Sequence, residues 1–290
     1  IKEFNMNKYK KIGLSALAGS LVAMSASAEV TLSGGASVTF TSTHDSDKTG
    51  YGMADSITAT YSGETDGGLT VTTSLELDGG ANASSSFDNR SISIASEDMG
   101  TITFSGHGGD SVMGGWDDMM PTAYEEVYAI TKNKSDATTG AGNLTIAGKG
   151  GNNLWRYDSP SVSGASFSIA YQSANGTGHV SSYSDMGIKI SPEAIEGLTV
   201  GYATGEYDEA AGTLGVDVST VYATYAYGSF TVGYQDSEND GPTAADSDES
   251  NSWAVSYAVS DDFSVSYGQH EYESGTDTDV QESSGFSASY

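Results

Sequence analysis

One alternation recurs along most of this chain, with apolar or aromatic residues at every second position and small polar residues between them. In the run from Ser252 to Val259, Trp253, Val255 and Tyr257 share one face, and serine or alanine fills the other. A period of two is that of a β-strand, whose successive side chains point to opposite faces. Because nearly every such segment opposes large residues to Gly, Ser, Thr or Ala, the pattern favours a closed barrel with lipid outside and water inside.

The links between these segments alternate in length. Short links such as 64–68 and 97–100 are followed by long segments rich in Asp, Gly, Ser and Thr, the longest of which spans 106–152. Turns at one end and loops at the other are typical of an up-and-down barrel, whereas a β-sandwich has no reason to sort its loops in this way. The sequence therefore predicts an all-β fold, a transmembrane up-and-down antiparallel β-barrel of about fourteen strands, at 29–43, 56–64, 69–77, 89–96, 101–106, 153–159, 165–172, 186–191, 198–204, 218–227, 230–235, 251–259, 263–272 and 282–290.

The N-terminus has the composition of a secretory signal. Three lysines between residues 8 and 11 precede an apolar run, and Ala26-Ser27-Ala28 fits the small-residue cleavage pattern. A membrane anchor is the alternative, but the apolar run is shorter than the roughly 20 residues that a spanning helix needs. We therefore expect upstream non-native residues at 1–5, a signal peptide at 6–28 and one mature domain at 29–290.

The charge balance limits the possible partners. Removing residues 1–28 takes away four lysines and one glutamate, so 7 basic side chains face 38 acidic ones and the net charge becomes −31. Such an excess argues against nucleic acid as a partner and favours the attraction of cations. The chain contains no cysteine. We predict no cofactor, although acidic loop clusters offer oxygen ligands for weak Ca²⁺ or Mg²⁺ binding, with diffuse counter-ion binding as the alternative, at Asp45/Asp47, Asp236/Glu238/Asp240 and Asp246/Asp248/Glu249.

The stretch Arg156-Tyr157-Asp158-Ser159-Pro160 follows the longest loop directly and precedes the strand at 165–172. In this stretch, and in its layout from Glu29 onward, the chain resembles the general porins of Gram-negative bacteria, where a similar stretch follows the constriction loop. The resemblance implies an outer-membrane location and a homotrimer in contact with membrane lipid. It also implies packing of the subunits through the first strand, where outward residues such as Gly34 and Ala36 are small.

The resemblance further implies sixteen strands in the family, of which about fourteen are present here. In family order the segment 282–290 matches the fourteenth strand, so we expect the chain to be truncated before its last hairpin. A complete barrel of fourteen strands that ends on Tyr290 is the alternative.

The segment 106–152 corresponds by resemblance to the pore-constricting loop that folds into the lumen. Its carboxylates, and wall residues on the inward parity, are then the candidate site residues, because opposed charges across a narrowing filter solutes by size and charge. A solvated external loop is the alternative, and for Arg156 the alternative role is an ion pair with Asp158 or a loop carboxylate that stiffens the wall. The candidates are Asp110, Asp117, Asp118, Glu125 and Glu126 on the loop, and Arg156, Asp158, Lys189 and Glu76 on the wall.

The resulting functional prediction is a water-filled channel for small hydrophilic solutes and ions. The inward positions carry few basic residues beyond Arg156 and Lys189, so we expect a preference for cations. No enzymatic activity is predicted, because His107, Asp110 and Ser111 crowd one glycine-rich loop with no scaffold to align them. A secreted or surface β-rich adhesin, or a Ca²⁺-binding structural protein, is the alternative function.

Overall fold

Extended strands dominate the structure, a computed structural model that describes residues 29–43, 46–78, 87–123, 145–174, 181–209, 215–275 and 280–290. Within these ranges fourteen strands form one antiparallel sheet, and each strand pairs with the next one along the chain. The strands are β1 Glu29–Thr43, β2 Ser46–Glu64, β3 Thr70–Asp78, β4 Asn89–Ser96, β5 Gly100–His107, β6 Leu154–Asp158, β7 Ala165–Gln172, β8 Tyr183–Ile190, β9 Leu198–Tyr207, β10 Val216–Tyr227, β11 Phe230–Asp240, β12 Asp248–Ala258, β13 Ser264–Ser274 and β14 Gln281–Ser289.

The all-β, up-and-down prediction is confirmed, with the predicted number of strands in the described residues. The predicted boundaries are too short mainly at the loop ends. The strand β8 begins at Tyr183 rather than at 186, and β11 ends at Asp240 rather than at 235. Antiparallel backbone pairing does not need apolar side chains, so the strands continue past the residues that face lipid. The predicted segments 1–5 and 6–28 lie outside the described residues.

The strand register fixes which side chains share a face, because directly opposed partners in an antiparallel sheet point the same way. Tyr234 lies between Ala223 and Trp253, and it is 50% exposed. The next residue, Gln235, points to the other face and is 4% exposed. The outward face therefore carries the large apolar side chains, as lipid requires, and the polar face is the lumen. No helix in the described part of the chain is long and apolar enough to cross a membrane.

At the loop ends of β9 to β14, beyond the aromatic residues, many of the outward positions are occupied by carboxylates. Several face each other directly across neighbouring strands, as in Glu206 with Asp217, Glu238 with Glu249, and Glu271 with Glu282. Charged side chains on the lipid face of a barrel are destabilising near the bilayer midplane. These pairs therefore mark the loop-side boundary of the apolar band.

Candidate functional site

The predicted constriction loop leaves the wall after β5, and its two arms are joined at the root. Gly109–Asp110 pair with Gly150–Gly151, and the Ser111 N–H donates to the Lys149 carbonyl oxygen at 2.8 Å. The Ser111 Oγ accepts the N–H groups of Gly114 and Lys149, each at 3.0 Å. Ser111 is fully buried, so both arms are held by one hydroxyl at the start of the loop.

A buried carboxylate on the wall holds the loop directly after this root. The Asp185 carboxylate accepts the N–H groups of Val112 at 3.2 Å and Met113 at 2.9 Å, together with the Tyr183 hydroxyl at 3.0 Å. Hydrogen bonds to an ionised acceptor are stronger than those between neutral groups. Asp185 is 5% exposed and occupies an inward position of β8. It therefore anchors the loop to the wall, a role that the sequence analysis did not assign.

Apolar packing joins the same part of the loop to the wall. The Trp116 ring meets the Tyr222 ring edge-on, with centroids 5.3 Å apart. The inward side of β8 is open to this contact at Gly187, where an added Cβ would lie 2.8 Å from Val112 Cγ1 and 2.9 Å from Trp116. The hydrophobic cluster of the described residues thus lies inside the barrel, between loop and wall, and contains Val112, Met113, Trp116, Ile146, Leu154, Ala170, Tyr183, Ala203, Val218 and Tyr222.

Further along, two more wall strands hold the loop through side-chain amide and hydroxyl groups. The Gln235 amide on β11 accepts the Met119 N–H at 2.8 Å and donates to the Trp116 carbonyl oxygen at 2.6 Å. On β13 the Ser266 Oγ accepts the Ala123 N–H at 2.9 Å. The Thr122 Oγ1 lies 3.3 Å from the Ser287 Oγ on β14, so from Ser111 to Ala123 the loop follows the inner wall from β6 to β14.

Arg156 and Asp158 both lie on the inward face of β6. The Arg156 Nε and Nη2 donate to the Asp158 carboxylate at 2.9–3.1 Å, and Nη1 donates to the Ser111 carbonyl oxygen at 3.1 Å. The Ser168 hydroxyl donates to the same carboxylate at 2.6 Å. Arg156 therefore touches the root of the loop, instead of facing the loop carboxylates across an opening. This geometry follows from β6 being the strand on which the returning arm of the loop ends.

The other predicted site residues are not gathered at one point. Asp110 is exposed at the loop root, and Asp117 and Asp118 are half-buried, with Asp118 accepting the Met120 N–H at 3.3 Å. Glu125 and Glu126 lie outside the described residues. Lys189 is exposed on the inward parity of β8, four positions (189 − 185) beyond Asp185 toward the turn end of the strand. Glu76 is half-buried on the inward face of β3.

The inner faces of β1 to β5, which we call the open wall, take part in none of the loop contacts described above beyond the root at 108–110. The inner faces of β6 to β14, along which the loop runs, form the covered wall. Hydroxyl groups dominate the open wall, with Glu76 and Asp78 as the charges near its loop end. The inward hydroxyls of the open wall include Thr31, Ser33, Ser37, Ser56, Thr58, Thr60, Ser62, Thr70, Thr72, Ser74, Ser91, Ser93, Thr101, Thr103 and Ser105.

Three contributors to this arrangement were missed by the sequence analysis. Asp185 and Gln235 are polar residues on an inward parity, like many others, and nothing in their local pattern marks them as loop anchors. Lys149 places its Nζ 5.8 Å from the centroid of the Tyr207 ring, which adds a cation at the loop root. A usable signal was the apolar character of Leu154, Ala203, Val218 and Tyr222 on inward positions, because such positions face water unless something covers them.

His107, Asp110 and Ser111 have the residue types of a catalytic triad, but His107 and Ser111 are bonded to backbone groups instead of to each other. The His107 Nδ1 lies 2.6 Å from the Asp88 carbonyl oxygen, and the Ser111 Oγ is occupied by two backbone N–H groups. A nucleophile and its base need to share a hydrogen bond.

One predicted cation cluster is partly assembled, but on the outside of the barrel. Carboxylate oxygens of Asp236, Glu238 and Glu249 lie within 4.8 Å of one another. All three occupy outward positions of β11 and β12, instead of lying between loops. Weak binding of Ca²⁺ or Mg²⁺ there stays a prediction.

The comparisons with known proteins agree with this architecture. The model of the Gram-negative porin family matches residues 13–290. Among solved structures, the chain is similar to in-vitro folded OmpT, an outer membrane protein of Vibrio cholerae, at 11% identity over 90% of this chain and 80% of that one, with a TM-score of 0.60.

It is also similar to OmpF of Salmonella typhi in complex with daunomycin, at 14% identity over 85% of this chain and 79% of that one, with a TM-score of 0.57. The trimer form of the Vibrio cholerae OmpT gives a TM-score of 0.52 at 11% identity, over 90% of this chain and 98% of that one. No curated protein matches the sequence. At these identities the solved structures show a shared fold, while the family match covers nearly the whole chain. The chain therefore belongs to the Gram-negative porin family and is an outer-membrane β-barrel channel protein.

Proposed function

We propose that the protein is a channel for the passive diffusion of small hydrophilic solutes and ions, that it prefers cations, and that it catalyses no reaction. The observation that carries the proposal is the position of the loop. It lies against the covered wall through Asp185, Trp116 and Gln235, which leaves the hydroxyl-lined open wall facing the lumen. A polar lumen narrowed by an inner loop admits small hydrated solutes and excludes large ones.

The balance of inward charges supports the preference for cations. Among the strand residues whose side chains the structure describes, the basic ones on the inward parity are Arg156 and Lys189, and Arg156 is paired with Asp158. Clefts lined by one sign of charge raise the local concentration of the opposite ion. The inward carboxylates of the strands include Glu29, Glu64, Glu76, Asp78 and Asp248, whereas Asp185 is buried beneath the loop and Asp158 is paired with Arg156.

The test is the zero-current potential of the purified full-length protein in a planar bilayer under a KCl gradient. We expect its sign to show that K⁺ permeates faster than Cl⁻. The variant Glu76→Gln removes one lumen charge and should reduce that potential, whereas the matched control Glu271→Gln removes the same charge from the outward face and should leave it unchanged. A potential that favours chloride would overturn the preference, and the absence of conductance would overturn the channel itself.

We further propose that the protein assembles as a homotrimer. The support is its family and the likeness of its fold to the OmpT of Vibrio cholerae, whose structure is described as a trimer form. The native mass of the detergent-solubilised protein tests this proposal, and a monomer as the stable species would overturn it. The adhesin alternative gains no support from membership of the porin family.

A further inference from the structure

Methionine is concentrated on the part of the constriction loop that follows the wall. The segment 111–123 contains Met113, Met119 and Met120, three of the 8 methionines in a chain that has no cysteine. Met113 is fully buried and Met120 is 8% exposed, whereas Met119 is half-buried. Because the loop lies inside the barrel, the exposed part of the Met119 side chain is open to the water of the lumen. Met119 is therefore the loop methionine that a dissolved reagent can reach.

Met119 is also part of the attachment of the loop to the covered wall. Its side chain packs against the hydrophobic cluster between loop and wall. Its N–H donates to the Gln235 Oε1 at 2.8 Å, and the Nε2 of the same amide donates to the Trp116 carbonyl oxygen at 2.6 Å. One buried amide thus holds both ends of the segment from Trp116 to Met119, and the Met119 side chain covers the same contact.

The Gln235 amide has no unused hydrogen-bond donor for a further acceptor. A side-chain amide carries two N–H donors. One donates to the Trp116 carbonyl oxygen and the other to the Thr220 Oγ1 at 3.0 Å. Gln235 is 4% exposed and Thr220 is 1% exposed, so water does not reach this pair freely. An acceptor introduced at the Met119 side chain can therefore bind Gln235 only by breaking one of these two bonds.

We propose that Met119 is a site of reversible oxidation by peroxides, and that its sulfoxide releases this segment of the loop from the covered wall. In the reaction the thioether sulfur attacks one oxygen atom of hydrogen peroxide. The S–O bond forms as the O–O bond breaks, and sulfur gives up two electrons. The second peroxide oxygen leaves as water with both hydrogens. Methionine sulfoxide reductases reverse the change, one enzyme for each epimer of the sulfoxide.

The sulfoxide is incompatible with the contacts that Met119 makes as a thioether. Oxidation converts a flexible apolar side chain into a polar one, and burial of a polar group without a hydrogen bond is unfavourable. The sulfoxide oxygen must turn to the water of the lumen, which removes Met119 from the hydrophobic cluster, or take a donor from Gln235. Both outcomes weaken the attachment between Trp116 and Met119. The freed segment then fluctuates in the narrowest part of the lumen.

Peroxide treatment of the purified full-length protein tests this proposal. Peptide mass spectrometry locates the added oxygen atoms, and we expect one on Met119 and none on Met113. The treated protein should show noisier single-channel currents in a planar bilayer and faster proteolysis within the loop in detergent, and both changes should disappear after incubation with the two reductases. If Met99, which is 63% exposed, is oxidised but Met119 is not, the site is wrong. If Met119 is oxidised without either change, its sulfoxide does not release the loop.

Three variants assign the response to one sulfur atom. Met119→Leu keeps an apolar side chain of similar volume, so its current noise and its loop cleavage should be the same before and after peroxide. The matched control Met99→Leu, at the turn end of the barrel, should respond like the wild type. Met119→Gln places a polar group near the position of the sulfoxide and should give noisy currents without peroxide.

A response of Met119→Leu equal to that of the wild type would overturn the proposal, because another residue would then be responsible. The inference uses the proposed channel for its electrical readout, whereas proteolysis of the loop does not depend on it. A wild-type protein without conductance would therefore overturn the channel, and the cleavage of the loop before and after peroxide would still decide the role of Met119.

Discussion

The open wall and the covered wall of this barrel differ in the residues on their inward positions, although both consist of antiparallel strands with the same alternation. Along β1 to β5 most inward positions are serine or threonine, and the others are small or polar, as a water-filled lumen requires. Along β6 to β10 the inward positions include Leu154, Val218 and Tyr222, which are buried beneath the loop. One wall is a surface toward water, and the other is half of a hydrophobic core.

This difference shows where the stability of the constriction originates. The loop is held by a buried carboxylate, an amide and an aromatic contact, all of which require the covered wall to be precise in shape. None of these three contacts involves the open wall, so we expect its side chains to tolerate exchange as long as they remain polar. We therefore expect substitutions of the same kind to act on stability along one wall and on ion passage along the other.

The largest difference is expected when a charge is introduced on each wall. Val218→Arg places a cation where the wild-type side chain is 3% exposed, under the loop. Burying an unpaired charge costs several kcal/mol, so we expect more than about 4 kcal/mol of destabilisation and loss of the folded, heat-modifiable form. Thr60→Arg lies on the open wall between Thr31 and Ser74 and should fold normally, with reduced preference for cations.

Gel migration and the zero-current potential check this pair of variants. If Val218→Arg folds as well as Thr60→Arg, the residues between the loop and the covered wall do not form a hydrophobic core. If Thr60→Arg leaves the potential unchanged, the open wall does not line the path of the ions.

The second prediction concerns the principal anchor of the loop. Asp185→Ala leaves the N–H groups of Val112 and Met113 and the Tyr183 hydroxyl without their acceptor. Each orphaned buried donor costs about 1–3 kcal/mol, so the first turn of the loop should detach from β8. We expect noisier single-channel currents and proteolysis within the loop, with the barrel intact.

The exposed Asp208 provides the matched control, because Asp208→Ala removes the same charge without touching the loop. Its current noise and protease sensitivity should equal those of the wild type. Equal noise in the two variants would show that charge, and not the anchor, governs the channel.

The strands and the faces of this barrel could be predicted because they follow from a local alternation. The period of two placed Arg156, Asp158, Lys189 and Glu76 on the inward side from sequence alone, and the register agrees. Strand ends were less predictable, since backbone pairing continues into polar residues such as those of Asp236 to Asp240.

The attachment of the loop could not be predicted, because it depends on contacts between residues far apart in the sequence. Asp185 meets Val112 and Met113, and Gln235 meets Trp116 and Met119, across separations that no periodicity encodes. Arg156 illustrates the limit. Its inward direction follows from parity, but its contact with the Ser111 carbonyl oxygen depends on where the loop returns to the wall.

A smaller effect is expected from a single methyl group on each wall. At Gly187 an added Cβ would lie 2.8–3.0 Å from Val112, Trp116 and Ala203, whereas at inward-facing Gly35 nothing lies within 4 Å. Gly187→Ala should therefore push the loop toward the lumen, with a cost of about 1–3 kcal/mol for overpacking, and lower the conductance. Gly35→Ala should conduct like the wild type. Equal conductance of the two variants would mean that the loop does not rest on β8.

The smallest effect separates the charge of Arg156 from its shape. Arg156→Lys keeps the cation near Asp158 but loses the planar group that reaches the carboxylate and the Ser111 carbonyl oxygen together. We expect about 1 kcal/mol less stability at the loop root, with more current noise and an unchanged zero-current potential. Arg156→Gln removes the charge as well, so its noise should be similar while its preference for cations increases, because Asp158 is then uncompensated. Measuring noise and potential for both variants distinguishes the two roles. If Arg156→Lys shows the same current noise and the same zero-current potential as the wild type, Arg156 acts only through its charge on passing ions. The loop is then attached to the covered wall by Asp185 and Gln235.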